Sequence, residues 1–139
     1  MCNERTIKMD ATLEFIGHIN TPYNAIEECP NNIDINGPLC QLVLNEKFKN
    51  GLSGLKPAQK ILILYWFENT DRNELETSTD DGSSIGTFAL RSPNRPNPIV
   101  AATLPIESIE NSVVSVRGLD CLNGTPLLDI KPAILLEEQ

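Results

Sequence analysis

Hydrophobic positions fall into short clusters separated by prolines, glycines and polar runs, and no segment keeps an apolar residue at helical spacing over several turns. The pattern predicts strands over residues 12–20, 39–44, 61–67, 85–90, 99–106, 113–119 and 126–131. The run 61–67 does not alternate, so it predicts a strand buried on both faces. Residues 25–38 are polar and irregular, with a turn at Cys29-Pro30-Asn31-Asn32, and 51–57 reads as a connection with at most one helical turn. About seven short strands with little helix predict an all-β antiparallel sandwich or barrel, in a single domain over residues 1–139.

Composition adds exclusions. The chain has 139 residues, 40% of them hydrophobic and 22% charged. A chain of this size buries roughly 68% of its exposable surface on folding, enough for a core without disulfides. Its longest apolar run, 61–67, is far short of the ~20 residues of a membrane-spanning helix. No apolar stretch follows a basic N-terminus, so a cytoplasmic protein is expected. Cys2, Cys29, Cys40 and Cys121 are scattered, without a CxxC, and His18 is the one histidine. The thiols therefore read as reduced and inert, and no metal site is expected. Neither a G-x-G-x-x-G turn nor a P-loop occurs, so a nucleotide-like cofactor would need another architecture. The net charge of −8 weighs against nucleic acid, which is usually held by a basic patch.

Three stretches carry candidate chemistry. In Arg91-Ser92-Pro93-Asn94-Arg95-Pro96-Asn97-Pro98 the three prolines stiffen the backbone and remove it from any ladder. Such a segment is either a rigid surface loop or a grip in which a held guanidinium takes carboxylate or phosphate. Asp120-Cys121-Leu122-Asn123-Gly124-Thr125-Pro126 holds an Asn-Gly turn, followed by Asp129 and Lys131 on one face of the next strand. Residues 71–81 carry five carboxylates against Arg72 and read as a solvated loop that would repel phosphate. In Tyr65-Trp66-Phe67 core packing is the favoured role for at least two rings, and Glu68-Asn69 follow where the strand emerges.

The run from Gly86-Thr87-Phe88 through Arg91-Ser92-Pro93-Asn94-Arg95-Pro96-Asn97-Pro98-Ile99 resembles the TsaA-like, or TrmO, family. So do Gly118-Leu119-Asp120, Gly124 to Pro132, the opening Ile16-Gly17-His18-Ile19-Asn20-Thr21-Pro22-Tyr23, and Leu62 to Phe67. The resemblance implies a compact antiparallel β-barrel that binds S-adenosyl-L-methionine, as a homodimer with the cofactor near the subunit interface. It also implies methyl transfer to N6 of threonylcarbamoyl-adenosine in tRNA, so tRNA is the implied partner. Alternatives are a small-molecule methyltransferase or a cofactor-binding module without RNA activity. Carried over by position, Arg91 supplies the cation for the cofactor's carboxylate. Pro30, Asn31, Asn32, Glu68, Asn69, Ala101, Leu119, Asp120, Gly124 and Thr125 complete the implied cofactor contacts. Asp129 is the candidate catalytic proton acceptor. The chain departs from the family pattern with Val100 for glycine, Glu68 for histidine, Asn123 for aspartate and Ala133 for tyrosine.

Overall fold

The computed structural model describes residues 10–134. Its strands are β1 (Gly17–Asn20), β2 (Leu39–Leu44), β3 (Lys60–Trp66), β4 (Glu76–Ser78), β5 (Ser84–Gly86), β6 (Ile99–Glu110), β7 (Val113–Arg117) and β8 (Thr125–Pro132). Six of them close an antiparallel barrel in the order β1-β2-β7-β6-β3-β8, with β8 returning to β1. The expected all-β barrel with little helix is what the chain forms.

Inward residues alternate along each barrel strand, as the two-residue repeat requires. On β3, Ile61, Ile63 and Tyr65 are buried inside, whereas Leu62, Leu64 and Trp66 are half-buried outside. The expectation of a strand covered on both faces is thus corrected, because the outer face has no second layer over it. Ile19, Leu42, Leu104, Val114, Val116 and Leu127 fill the interior with them. A 3-10 helix over Glu46–Leu52 joins β2 to β3, and its buried Leu52 packs into the core.

Two further expectations change. The first strand is only Gly17–Asn20 rather than 12–20. The stretch 85–90 is not a barrel strand. Ser84–Gly86 pairs with Glu76–Ser78 in a side hairpin, and Thr87–Ala89 then turns as a 3-10 helix. Thr87 causes this change of direction: it is fully buried, its N–H donates to Leu75 O (2.9 Å) and its Oγ1 to Glu74 O (3.1 Å). The acidic stretch 71–81 is therefore partly built into a hairpin.

In a barrel of this order, one end collects three connections: 21–38, 67–98 and 118–124. We call this end the rim. The Asn123-Gly124 turn has the positive φ expected of it, 88° at Gly124, but β7 and β8 are not neighbours. The turn spans the rim past the ends of β1 and β2, tied by Asn123 N–H to Tyr23 O (2.7 Å) and Gly124 N–H to Ile19 O (2.8 Å).

Gly118 ends β7 at φ 82° and lies against the backbone of Asp34. Asp34 N–H donates to Gly118 O and Gly118 N–H to Pro38 O, both at 2.9 Å. A Cβ at Gly118 would fall inside the Asp34 carbonyl. Gly118→Ala is expected to cost at least about 2 kcal/mol through left-handed strain and displacement of the 31–38 loop. Urea unfolding of the two proteins measures it.

Candidate functional site

The rim holds a cavity of about 550 Å³ lined by Asn31, Asn32, Ile33, Tyr65, Arg91, Ser92, Arg95, Ile99, Val100, Ala101 and Asp120. Its size is that of small-molecule sites in general. Five residues expected from the sequence meet here: Asn31, Asn32, Arg91, Ala101 and Asp120. Pro30 precedes this wall without lining it, and Leu119 is buried in the core behind Asp120.

Glu68, Asn69, Gly124 and Thr125 line a second recess of about 90 Å³, with Trp66, Phe67 and Leu122 among its walls. Asn69 stands at φ 60°, a left-handed conformation that asparagine tolerates. Asp129 is not brought to either cavity. It lies four residues into β8, roughly 13 Å along the strand from the rim, and lines a separate cavity with Phe48, Leu52 and Gln59. Its Oδ2 is 2.9 Å from Lys131 Nζ, an exposed pair. The expectation that Asp129 and Lys131 share a face is met.

Arg91 and Arg95 differ in freedom. Arg95 Nη2 donates to Thr87 O and to Leu90 O, both at 2.7 Å, so this guanidinium folds the loop back on its own 3-10 turn. Arg91 is exposed, and its Nη2 makes a long 3.4 Å bond to Ala101 O. It is the guanidinium of this loop available to an anion.

The proline loop is also held from outside, by a residue that sequence reasoning left as a lone counter-ion in an acidic run. Arg72 Nε donates to Pro96 O (2.7 Å) and its Nη2 to Asn97 Oδ1 (3.4 Å), while its guanidinium lies 5.3 Å from the centre of the Trp66 ring. Asp71 N–H donates to Asn94 Oδ1 (3.2 Å). Two asparagines of the loop thus brace it and do not reach for a ligand. No local pattern signals this partnership, because the two segments are more than twenty residues apart.

Tyr65 is a second residue with more than a packing role. Its buried hydroxyl donates to Asp120 Oδ1 at 2.8 Å. Burial first, and then the Asp120 charge, raise the phenol well above its usual range, so it stays a donor. Asp120 is fixed in direction and keeps acceptor capacity for a ligand. Cys121 and Cys40 are buried, and burial raises both thiols, Cys121 to about 12. They fit the reading of inert thiols; Cys2 lies outside the described residues.

The assembly is a closed antiparallel barrel with an end-on cavity offering one exposed guanidinium, one oriented carboxylate, two amides and an apolar wall. The chain belongs to the family of the tRNA-methyltransferase O N-terminal domain, whose pattern matches residues 18–136. It is 43% identical over 124 residues to a probable S-adenosyl-L-methionine-binding protein, VirR, of Rhizobium radiobacter, covering 88% of this chain and 71% of that one. It is 30% identical over 130 residues to a tRNA (adenine(37)-N6)-methyltransferase of Rattus norvegicus, covering 87% of this chain and 30% of that one. The crystal structure of TrmO from Pseudomonas aeruginosa superposes with a TM-score of 0.70 at 27% identity, over 91% of this chain and 57% of that one. The chain therefore spans little more than half of that solved structure and under a third of the rat enzyme.

The raised Cys121 thiol makes stability fall with alkali. The unfolded chain releases this proton near 9 and the folded chain only near 12, so the folded state binds more protons in between. The contribution is complete below the lower value and is lost as pH rises through the window. Urea midpoints are expected to hold to about pH 9 and then decline, less steeply in Cys121→Ala.

Proposed function

We propose that this chain binds S-adenosyl-L-methionine in the rim cavity and catalyses transfer of its methyl group to a nitrogen nucleophile. The observation that carries this is the joint placement of Arg91, Asp120, Asn31 and Asn32 around one cavity, in a chain whose relatives are named for that cofactor. The donor set suits the molecule. Arg91 pairs with the carboxylate, Asp120 accepts from the amine or ribose hydroxyls, and Asn31 and Asn32 offer amide donors and acceptors. Ile33, Ile99 and Val100 supply apolar contact for the adenine.

When bound, the cofactor supplies an electrophilic methyl group. With Arg91 on its carboxylate and Asp120 on its amine or ribose hydroxyls, the bound cofactor would present that methyl group to a nitrogen acceptor held in line with it. Such a reaction asks the protein mainly for alignment, which the braced loop and the fixed Asp120 provide. The family likeness nominates N6 of threonylcarbamoyl-adenosine in tRNA as the acceptor, and such a weak nucleophile would be helped by a proton acceptor, the role for which the sequence offers Asp129. The position of Asp129, in a separate cavity and paired with Lys131, gives that role no support. The ten carboxylates against three arginines in the three rim connections favour a second reading, a non-RNA acceptor.

A homodimer is part of this proposal. Phe88 is 82% exposed three residues before Arg91, with Leu75 also exposed, and a second copy of the chain would cover them. Phe88→Asp is expected to convert a dimer into a monomer in sedimentation velocity while the circular dichroism spectrum of the fold is kept.

Arg91→Ala tests the cofactor site. Calorimetric titration with S-adenosylhomocysteine is expected to show a loss of about 30-fold in affinity, the equivalent of ~2 kcal/mol for a charged hydrogen-bonded pair. The thermal midpoint should be unchanged, since the side chain is exposed. Equal affinity in wild type and variant would refute the assignment.

A further inference from the structure

Arg91 and Asp120 line the same cavity, yet they form no ion pair with each other. Arg91 reaches the Ala101 carbonyl instead. Unlike charges that face one space attract each other over several ångströms. Were they to close on each other, a ligand would find neither of them free.

Tyr65 opposes that closure. Its side chain is 1% exposed and its hydroxyl donates to Asp120 Oδ1 at 2.8 Å. Arg91 acts on the same phenol: burial and then the Asp120 charge raise it, and the Arg91 charge pulls the other way. The barrel fixes the ring. Tyr65 stands opposite Val100 on β6 and Leu127 on β8, and an extra β8 residue, Leu128, falls between the partners of Leu64 and Tyr65. Such a bulge re-aims the side chains beside it. Asp120 is anchored as well, between the buried Leu119 and Cys121. The hydrogen bond therefore ties the carboxylate to a rigid strand.

The same bond decides what Asp120 can take. A vicinal diol such as ribose is gripped most firmly by both oxygens of one carboxylate, and here Oδ1 already accepts from the phenol. The remaining Oδ2 suffices for an ammonium, whose charge makes a single bond strong. A fixed carboxylate and a separate guanidinium in one cavity are complementary to a zwitterion.

We propose that Tyr65 is the positioning residue for recognition of the cofactor's amino-acid end: by holding Asp120 off Arg91 it keeps one oxygen for the α-ammonium and leaves the guanidinium for the α-carboxylate. This rests on the cofactor reading above, and two calorimetric probes separate the two. S-adenosylhomocysteine carries the amino-acid end, and methylthioadenosine lacks it. No binding of S-adenosylhomocysteine by the wild type refutes the cofactor reading and this inference with it.

Tyr65→Phe is expected to lower affinity for S-adenosylhomocysteine about 10-fold, with affinity for methylthioadenosine and the circular dichroism spectrum as in the wild type. In an Asp120→Ala protein the same change should lose nothing further, because the group that Tyr65 positions is gone. A packing role for the hydroxyl would weaken both probes alike and in both backgrounds. Equal losses for the two probes, a loss that persists without Asp120, or an unchanged affinity for S-adenosylhomocysteine would overturn the inference and leave the cofactor reading standing.

Discussion

The rim depends on one close crossing of backbone. Where β7 ends, Gly118 meets the chain at Asp34 with no space for a side chain, and reciprocal hydrogen bonds to Asp34 and Pro38 hold the two strands of chain together. The segment before this crossing carries Asn31 and Asn32; the segment after it carries Asp120. Two walls of the cavity are thus set by a single contact. The second wall is anchored by the buried Leu119 and Cys121, but the first has little packing of its own, because the 21–38 connection contains no fully buried residue. Local stability there rests on backbone hydrogen bonds and excluded volume.

The third wall is fixed by different means. The proline-rich loop has few backbone donors, so side chains supply what a ladder would otherwise provide. Arg95 gathers the carbonyls of the preceding 3-10 turn, and Arg72 with Asp71 clamps the loop from the acidic side. Most of the loop's polar side chains are consumed in shaping it. That leaves Arg91 as a single adjustable cation on a stiff support, so gripping an anion would order its side chain but not the loop beneath it.

The barrel was legible in the sequence because strand pattern and turn chemistry are local. The clusters at 39–44, 61–67, 99–106 and 126–131 fall on β2, β3, β6 and β8 within a few residues. The errors share a cause. Residues 85–90 have strand composition, but Thr87 finds partners in the distant Glu74–Leu75 backbone and turns the chain. The site was legible as a set of motifs, and Arg91, Asp120, Asn31 and Asn32 do converge. What could not be read was the division of labour between Arg91 and Arg95, or the reach of Arg72, since both depend on tertiary neighbours. Periodicity placed Asp129 on the same face as Lys131 but carried no information about its distance from the rim.

Closure of the barrel leaves no free hydrogen-bonding edge in the main sheet. The side hairpin β4–β5 lies outside that closure, as a two-stranded sheet. Its strands are three residues long, and Glu74, Asp80 and Asp81 crowd its ends. Shortness and like charge are the two ordinary defences against strand addition by another chain. The acidic stretch therefore serves the protein's solubility as well as its electrostatics, by denying neighbouring molecules a template on which to grow.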